Sequence, residues 1–262
     1  MLYGEARKIA TEVVKITATT LHELGFEEVV VADSHGPMVN IIPPEEMPSF
    51  VKLVRGFPRP PLSMVVGGKG SDVAIFLGYH ARSGVRGGAT FDHTYSSATI
   101  DWITVNGRPV SETLLNAYLL GEWGGVPVIL VAGDRALLEG GDVKEALPET
   151  VGVPLKESFS RYSAISPSME AIKKLLIKGT KEAVKRWKEG AIKPPLSVEK
   201  PVKVGGVRFL NSGFADAAEL CPPRVRRMDG KTVEFEANSV EEAYKMIELL
   251  IFAASGVRAL FG

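Results

Sequence analysis

Val73-Ala74-Ile75-Phe76-Leu77 runs without a polar interruption into Gly78-Tyr79-His80-Ala81. An unbroken apolar run of this length that stops at a glycine reads as a strand buried on both faces, because a strand with one wet face would alternate. The same syntax occurs twice more. Glu28-Val29-Val30-Val31-Ala32 stops at Asp33-Ser34-His35-Gly36-Pro37, and Val126 to Val131 stops at Ala132-Gly133-Asp134. Helical patterns lie around and between these runs. Glu5 to Leu24 sets Ile9, Val13, Ile16 and Leu24 near helical spacing and ends at Gly25, Ser111 caps a helix through Leu120, and Ser168 to Glu189 forms a longer charged helix broken at Pro194-Pro195. Buried strands separated by helices predict an α/β fold, a mostly parallel sheet with helices on both faces.

From Pro201 onward the texture changes. Val204 to Leu210 and Thr232 to Ala237 alternate like half-buried strands, and Ser239-Val240-Glu241-Glu242 opens a final apolar helix to Ala254. These features predict a smaller C-terminal α+β portion over 194–262, following an α/β unit over 1–193, the two able to pack as one body. Ala98 to Val105 reads as a strand closed by the turn Asn106-Gly107-Arg108-Pro109, and Gly56 to Gly70 as a long surface loop.

Composition narrows the function classes. The 262 residues carry 31 Lys plus Arg against 31 Asp plus Glu, so the net charge is zero. Neutralising a phosphate backbone takes a cationic excess on one face, and Arg224, Arg226 and Arg227 are too short a cluster to supply it, which argues against a nucleic-acid partner. The most apolar stretch, Ile247 to Ala254, falls far short of the roughly 20 residues of a membrane span, so no membrane is expected. A single cysteine, Cys221, excludes an internal disulfide and suits the cytoplasm. There is no Gln and there are five Asn, a depletion of thermolabile amides of the thermophile kind.

Three of the four histidines, His35, His80 and His93, lie at or beyond strand ends or in a Gly-rich loop. Ligands of open α/β sheets bind outside the carboxyl ends of strands, which makes these histidines the first candidates. The bland reading of each is a loop histidine with one backbone hydrogen bond. His22, in the opening helix beside Glu23, reads as a solvated surface residue. Glu112, in the first turn of a helix, is the carboxylate that would complete a metal site with neutral imidazoles, although from spacing alone dipole complementation of that turn is the stronger reading. Asp33, Asp92 and Asp134 read as loop caps rather than ligands. Gly67 to Gly70 and Gly84 to Gly88 match neither phosphate-binding fingerprint, and there is no G-x-S-x-G elbow.

Together the ordered strings Val31-Ala32-Asp33-Ser34-His35, Phe76-Leu77-Gly78-Tyr79-His80-Ala81-Arg82, the His93 loop, Asn106-Gly107-Arg108-Pro109-Val110 with Glu112 and Leu115-Asn116-Ala117-Tyr118, Val131-Ala132-Gly133-Asp134 and Ser160-Arg161 resemble the zinc-dependent D-aminopeptidase family of dipeptide-transport operons. The resemblance spans nearly the whole chain. It implies that His35, His80 and Glu112 are metal ligands, that His93 is the catalytic residue beside a two-zinc centre, and that the assembly is a homo-oligomer, a ring-like decamer with an enclosed chamber. It implies hydrolysis of short peptides with an N-terminal D-amino acid.

One departure qualifies this. The family's first strand carries an Asp-x-Glu-Gly motif with two further ligands, upstream of the helix that begins near Tyr3, and here no Asp is followed two residues later by Glu. Three ligands of five stand in the residues above. The expectation is one or two zinc ions with the second doubtful, weak or no peptidase activity for the chain as written, and an unfilled sheet position beside the first helix. Two other readings fit the same residues: a mononuclear two-His-one-carboxylate enzyme of another reaction type, such as a non-haem iron oxygenase, and a catalytically silent oligomeric homologue.

Overall fold

The computed structural model describes residues 3–36, 40–41, 46–59, 64–85, 89–194, 198–221 and 224–261. Parts of several expected features lie outside the described residues: Pro37, Pro60 to Ser63, Arg86 to Gly88, Pro195, and the Pro222-Pro223 pair after Cys221. In chain order the elements are α1 (Tyr3–Glu23), β1 (Val29–Ala32), β2 (Val51–Val54), β3 (Ala74–Tyr79), β4 (Ile100–Val105), β5 (Arg108–Pro109), α2 (Glu112–Glu122), β6 (Val128–Asp134), α3 (Arg135–Glu139), α4 (Gly141–Ala146), β7 (Val151–Ser160), β8 (Ser163–Ile165), α5 (Met169–Lys188), β9 (Val202–Phe209), α6 (Ser212–Glu219), β10 (Arg226–Arg227), β11 (Thr232–Ala237) and α7 (Val240–Phe261).

The three apolar runs form parallel strands, as their composition requires. β6 lies between β3 and β7, both parallel to it, and every one of its residues is buried. α1 and α5 cover one face of this sheet, burying Val13, Ile16, Leu21, Leu176 and Ala183 against Ile129, Ala132 and Val153. α2 covers the other face, where Leu114, Leu115 and Leu119 pack with Phe76, Val128 and Val131. Each such side chain contributes roughly 1.5–3 kcal/mol of transfer free energy on burial. The expected α/β architecture with helices on both faces is therefore present.

β1 pairs in parallel with β2 in a separate two-stranded sheet. The outer edges of β1 and β3 face each other across an open cleft of about 1800 Å³, floored by α1.

The second sheet runs β10-β11-β9-β4-β5, and its pairings are antiparallel. Its central pair joins β4 to β9, with Ile103 opposite Val207, so this sheet takes strands from both sides of position 194. β9 alternates buried and exposed residues along its first half, and α6 and α7 cover the inner face. The turn Asn106-Gly107 has positive φ at both positions (48° and 78°), the geometry that lets a tight hairpin follow the twist of its strands, and it sends the chain through β5 into α2. The Gly56 to Gly70 segment departs from the surface loop expected. Val65 is buried, the Met64 carbonyl accepts from Ser34 Oγ at 2.7 Å, and the Met64 amide reaches the Tyr244 hydroxyl at 3.4 Å, so the chain here dips into the core behind the cleft.

Candidate metal centre

His80 follows directly on β3, and its placement depends on two glycines. Gly78 adopts φ +76°, a left-handed conformation that glycine enters without a Cβ clash, and the β3–β6 register shifts between Leu77 and Tyr79. The bulge brings the Tyr79 carbonyl against β6. A Cβ on Gly133 would stand 2.1 Å from that oxygen, so the close approach requires glycine there as well. The His80 Nδ1 then lies 3.0 Å from the Ala81 carbonyl, which assigns its proton to Nδ1 and leaves the Nε2 lone pair free.

Glu112 opens α2, yet the helix terminus does not use its carboxylate. Ser111 is the N-cap, its Oγ accepting from the Leu114 amide at 3.2 Å. Glu112, 9% exposed, turns toward the 89–95 loop, where Oε1 accepts from the Tyr95 amide at 2.7 Å. A buried carboxylate held by a backbone donor and facing an imidazole could also serve as a metal ligand.

His93 completes the group. Its Nδ1 meets the Phe91 carbonyl at 2.5 Å, and its Nε2 lies 3.6 Å from Glu112 Oε1. The His80 and His93 rings stand with centroids 4.3 Å apart, tilted by 31°. Burial first, and the His80 imidazole second, hold the His93 pKa below the ordinary histidine range, so the ring is neutral at neutral pH and offers a lone pair. The flanking residues Phe91 and Tyr95 have φ of 54° and 61°, and non-glycine residues held in this region cost roughly 1–3 kcal/mol each. Both use the same backbone that the site needs: the Phe91 carbonyl holds His93, and the Tyr95 amide holds Glu112.

One ligand atom from each of His80, His93 and Glu112 can be chosen so that all lie within 4.8 Å of one another. Tetrahedral zinc with bonds near 2.0–2.1 Å places its ligand atoms about 3.3 Å apart, so small side-chain adjustments bring these three onto one ion. His35 lines the same cleft but is exposed at the end of β1, outside this triangle; its carbonyl accepts from Asn40 Nδ2 at 3.1 Å. The three aspartates behave as caps or pair partners. Asp33 accepts from the Asn40 and Ile41 amides at 2.7 and 3.0 Å, Asp134 caps α3 through the Ala136 amide at 2.9 Å and takes the Ser158 hydroxyl, and Asp92 pairs with Arg161. His22 stacks on Phe50 at the surface, with ring centroids 4.0 Å apart.

Three functional neighbours escaped sequence reasoning: Tyr79, Tyr95 and Arg161 line the cleft as well. Arg161 sits at the β7–β8 turn, where its carbonyl takes the Phe91 amide at 2.9 Å and its Nη1 meets the Asp92 carbonyl at 2.6 Å, clamping the loop from outside.

Comparison with known proteins converges with the site. A sequence model described as D-aminopeptidase matches residues 1–249. The D-aminopeptidase of Bacillus subtilis (strain 168) is 31% identical over 261 residues, covering 99% of this chain and 90% of that protein. A solved structure described as the Zn-dependent D-aminopeptidase DppA from Bacillus subtilis, a self-compartmentalizing protease, superposes with a TM-score of 0.88 at 30% identity, covering 97% of this chain and 89% of its own.

Proposed function

This chain belongs to the D-aminopeptidase family, and on that premise we propose that it is a zinc-dependent aminopeptidase that removes an N-terminal D-amino acid from short peptides. The observation that carries the reading is the convergence of His80, His93 and Glu112 in one cleft. The donor set, two imidazoles and one carboxylate, is of the kind that holds catalytic zinc with a position left open. Bound there, zinc supplies Lewis-acid chemistry, bringing the pKa of water toward neutrality and polarising the scissile carbonyl.

The protein's own residues do the rest. His80 and Glu112 hold the ion from the β3 end and the α2 start. The 3.6 Å span from His93 Nε2 to Glu112 Oε1 is too long for a hydrogen bond and near that of two atoms sharing an ion, which favours His93 as the third ligand. His35, exposed in the same cleft beyond this triangle, remains the further metal ligand that the family resemblance implies. The Arg161 guanidinium, also lining the cleft, adds a fixed positive charge beside His93.

With zinc added, the purified protein should release product faster from D-alanyl than from L-alanyl p-nitroanilide. Release should stop on chelation, return with zinc, and fail when the substrate's amino group is acetylated. Equal rates on both isomers would remove the D preference, and hydrolysis of neither would remove the peptidase reading. Iron binding with oxygen consumption would favour the oxygenase alternative.

The same proposal includes a homo-oligomer, a decamer, working in the cytoplasm of a thermophile. Its support is the description of DppA as self-compartmentalizing, the lone cysteine, the amide-poor composition and the exposed apolar side chains. At the β7–β8 hairpin, Phe91, Phe159, Tyr162 and Ile165 are all more than half exposed. On α7, Leu250 is fully buried, while Leu249 and Phe252 are nearly half exposed. Among the described residues no helix is long and apolar enough to cross a membrane. Light scattering should return a mass several times that of one chain; a monomeric mass would rule the assembly out.

A further inference from the structure

Tyr95 touches α2 twice, one helical turn apart. Its backbone amide donates to Glu112 Oε1 at 2.7 Å, and its hydroxyl donates to Asn116 Oδ1 at 3.2 Å. Residues i and i+4 stand on one helix face, so these two contacts fix the loop against the start of α2 in both position and tilt. Asn116 is itself tied down, its Nδ2 reaching the Tyr79 hydroxyl at 3.2 Å and Met64 Sδ at 3.4 Å. On its far side the Tyr95 ring meets Tyr244 of α7 edge-on, centroids 5.5 Å apart at 88°, and the two hydroxyls interact. The left-handed backbone at Tyr95 is unfavourable in isolation, so something must hold it. The amide bond to Glu112 and the Thr94 hydroxyl on the Val110 carbonyl at 3.1 Å hold it from the backbone side, and the phenol's contacts with Asn116 and Tyr244 hold it from the side-chain end.

We propose that Tyr95 is a positioning residue for the metal centre: its phenol, pinned between Asn116 and Tyr244, holds a left-handed backbone whose amide aims the Glu112 carboxylate at the ion. The inference rests on the zinc reading above and assigns to a residue outside the ligand triangle the task of orienting a ligand. Partners behind metal ligands are commonly worth about 10–100-fold in metal affinity. Tyr95→Phe removes one oxygen and keeps the ring, so the fold should survive while the clamp loosens.

The test compares zinc affinity, by competition with a chromophoric chelator, in the parent protein, Tyr95→Phe and Val207→Ala. Val207 is wholly buried in the antiparallel sheet, at the β9–β4 pairing, and its truncation destabilises without touching the site. The expected result is a zinc affinity about tenfold or more weaker in Tyr95→Phe and unchanged in Val207→Ala, the order of effect seen for partners behind ligands. The visible spectrum of the cobalt-substituted protein should shift in Tyr95→Phe only. Parent-like affinity in Tyr95→Phe, or equal losses in both variants, would overturn the proposal. Failure of the parent protein to bind zinc at all would instead overturn the metal reading, and this inference with it.

Discussion

Glu112→Gln should cost the protein its zinc while leaving its fold intact. The substitution keeps shape and one oxygen but removes the charge, and a ligand lost outright should exceed the roughly 10–100-fold that partners behind ligands are worth, so the expected loss is at least about 100-fold in affinity. Stability without metal should move the other way or not at all. A carboxylate that is 9% exposed bears a desolvation cost that one amide donor at 2.7 Å only partly offsets, and the neutral amide escapes that cost. His93→Ala separates two roles for the histidine. A ligand takes the zinc with it, whereas a proton carrier leaves a stoichiometric ion and no turnover; the 3.6 Å span to Glu112 Oε1 predicts loss of the ion. Metal content after gel filtration reads both variants. A Glu112→Gln protein that retains zinc as the parent does would remove Glu112 from the site.

Gly133→Ala should be the most damaging single methyl in the parallel sheet. Its Cβ would stand 2.1 Å from the Tyr79 carbonyl oxygen and 2.9 Å from the carbonyl carbon, and both obstacles are backbone, which cannot rotate away. Overpacking of cores costs typically 1–3 kcal/mol, and a backbone obstacle belongs at or above the top of that range. The peptide that must yield is the one leading into His80, so zinc affinity should fall together with the denaturation midpoint. Chemical denaturation and zinc competition on the same variant check this. A parent-like midpoint with parent-like zinc affinity would mean that the β3–β6 approach is looser than described.

The fold was legible where burial is two-sided. β1, β3 and β6 announced themselves as unbroken apolar runs, and α1, α2, α5 and α7 as helical patterns with caps or clear ends. β7 did not, because Val151 to Ser160 carries Pro154, Lys156 and Glu157 and is half exposed along much of its length, so neither a continuous run nor a clean alternation marks it. β2 and α6 are short, four and eight residues, and sit among loop residues that mask them. The site was legible in its residue types, and the four candidates His35, His80, His93 and Glu112 line one cleft. His80 and Glu112 were placed by strand end and helix start. Grouping His93 with them, and leaving His35 outside the triangle, depends on a loop that enters the left-handed region at Phe91 and Tyr95, where no glycine or asparagine advertises it.

The pairing of β4 with β9 has a consequence for the order in which the protein can be made. Roughly 100 residues separate Val105 from Val202, and at a ribosomal rate of about 5–20 residues per second β4 waits roughly 5–20 seconds for its partner. α2 packs on the parallel sheet and on α7, so the helix that carries Glu112 completes its packing only when α7 has been made. While still on the ribosome the nascent chain can order β3, β6 and α2 and present His80 and Glu112, but Tyr244 behind Tyr95 arrives only once the last third has emerged. A half-made chain released early would carry the site's side chains without the α7 support behind Tyr95.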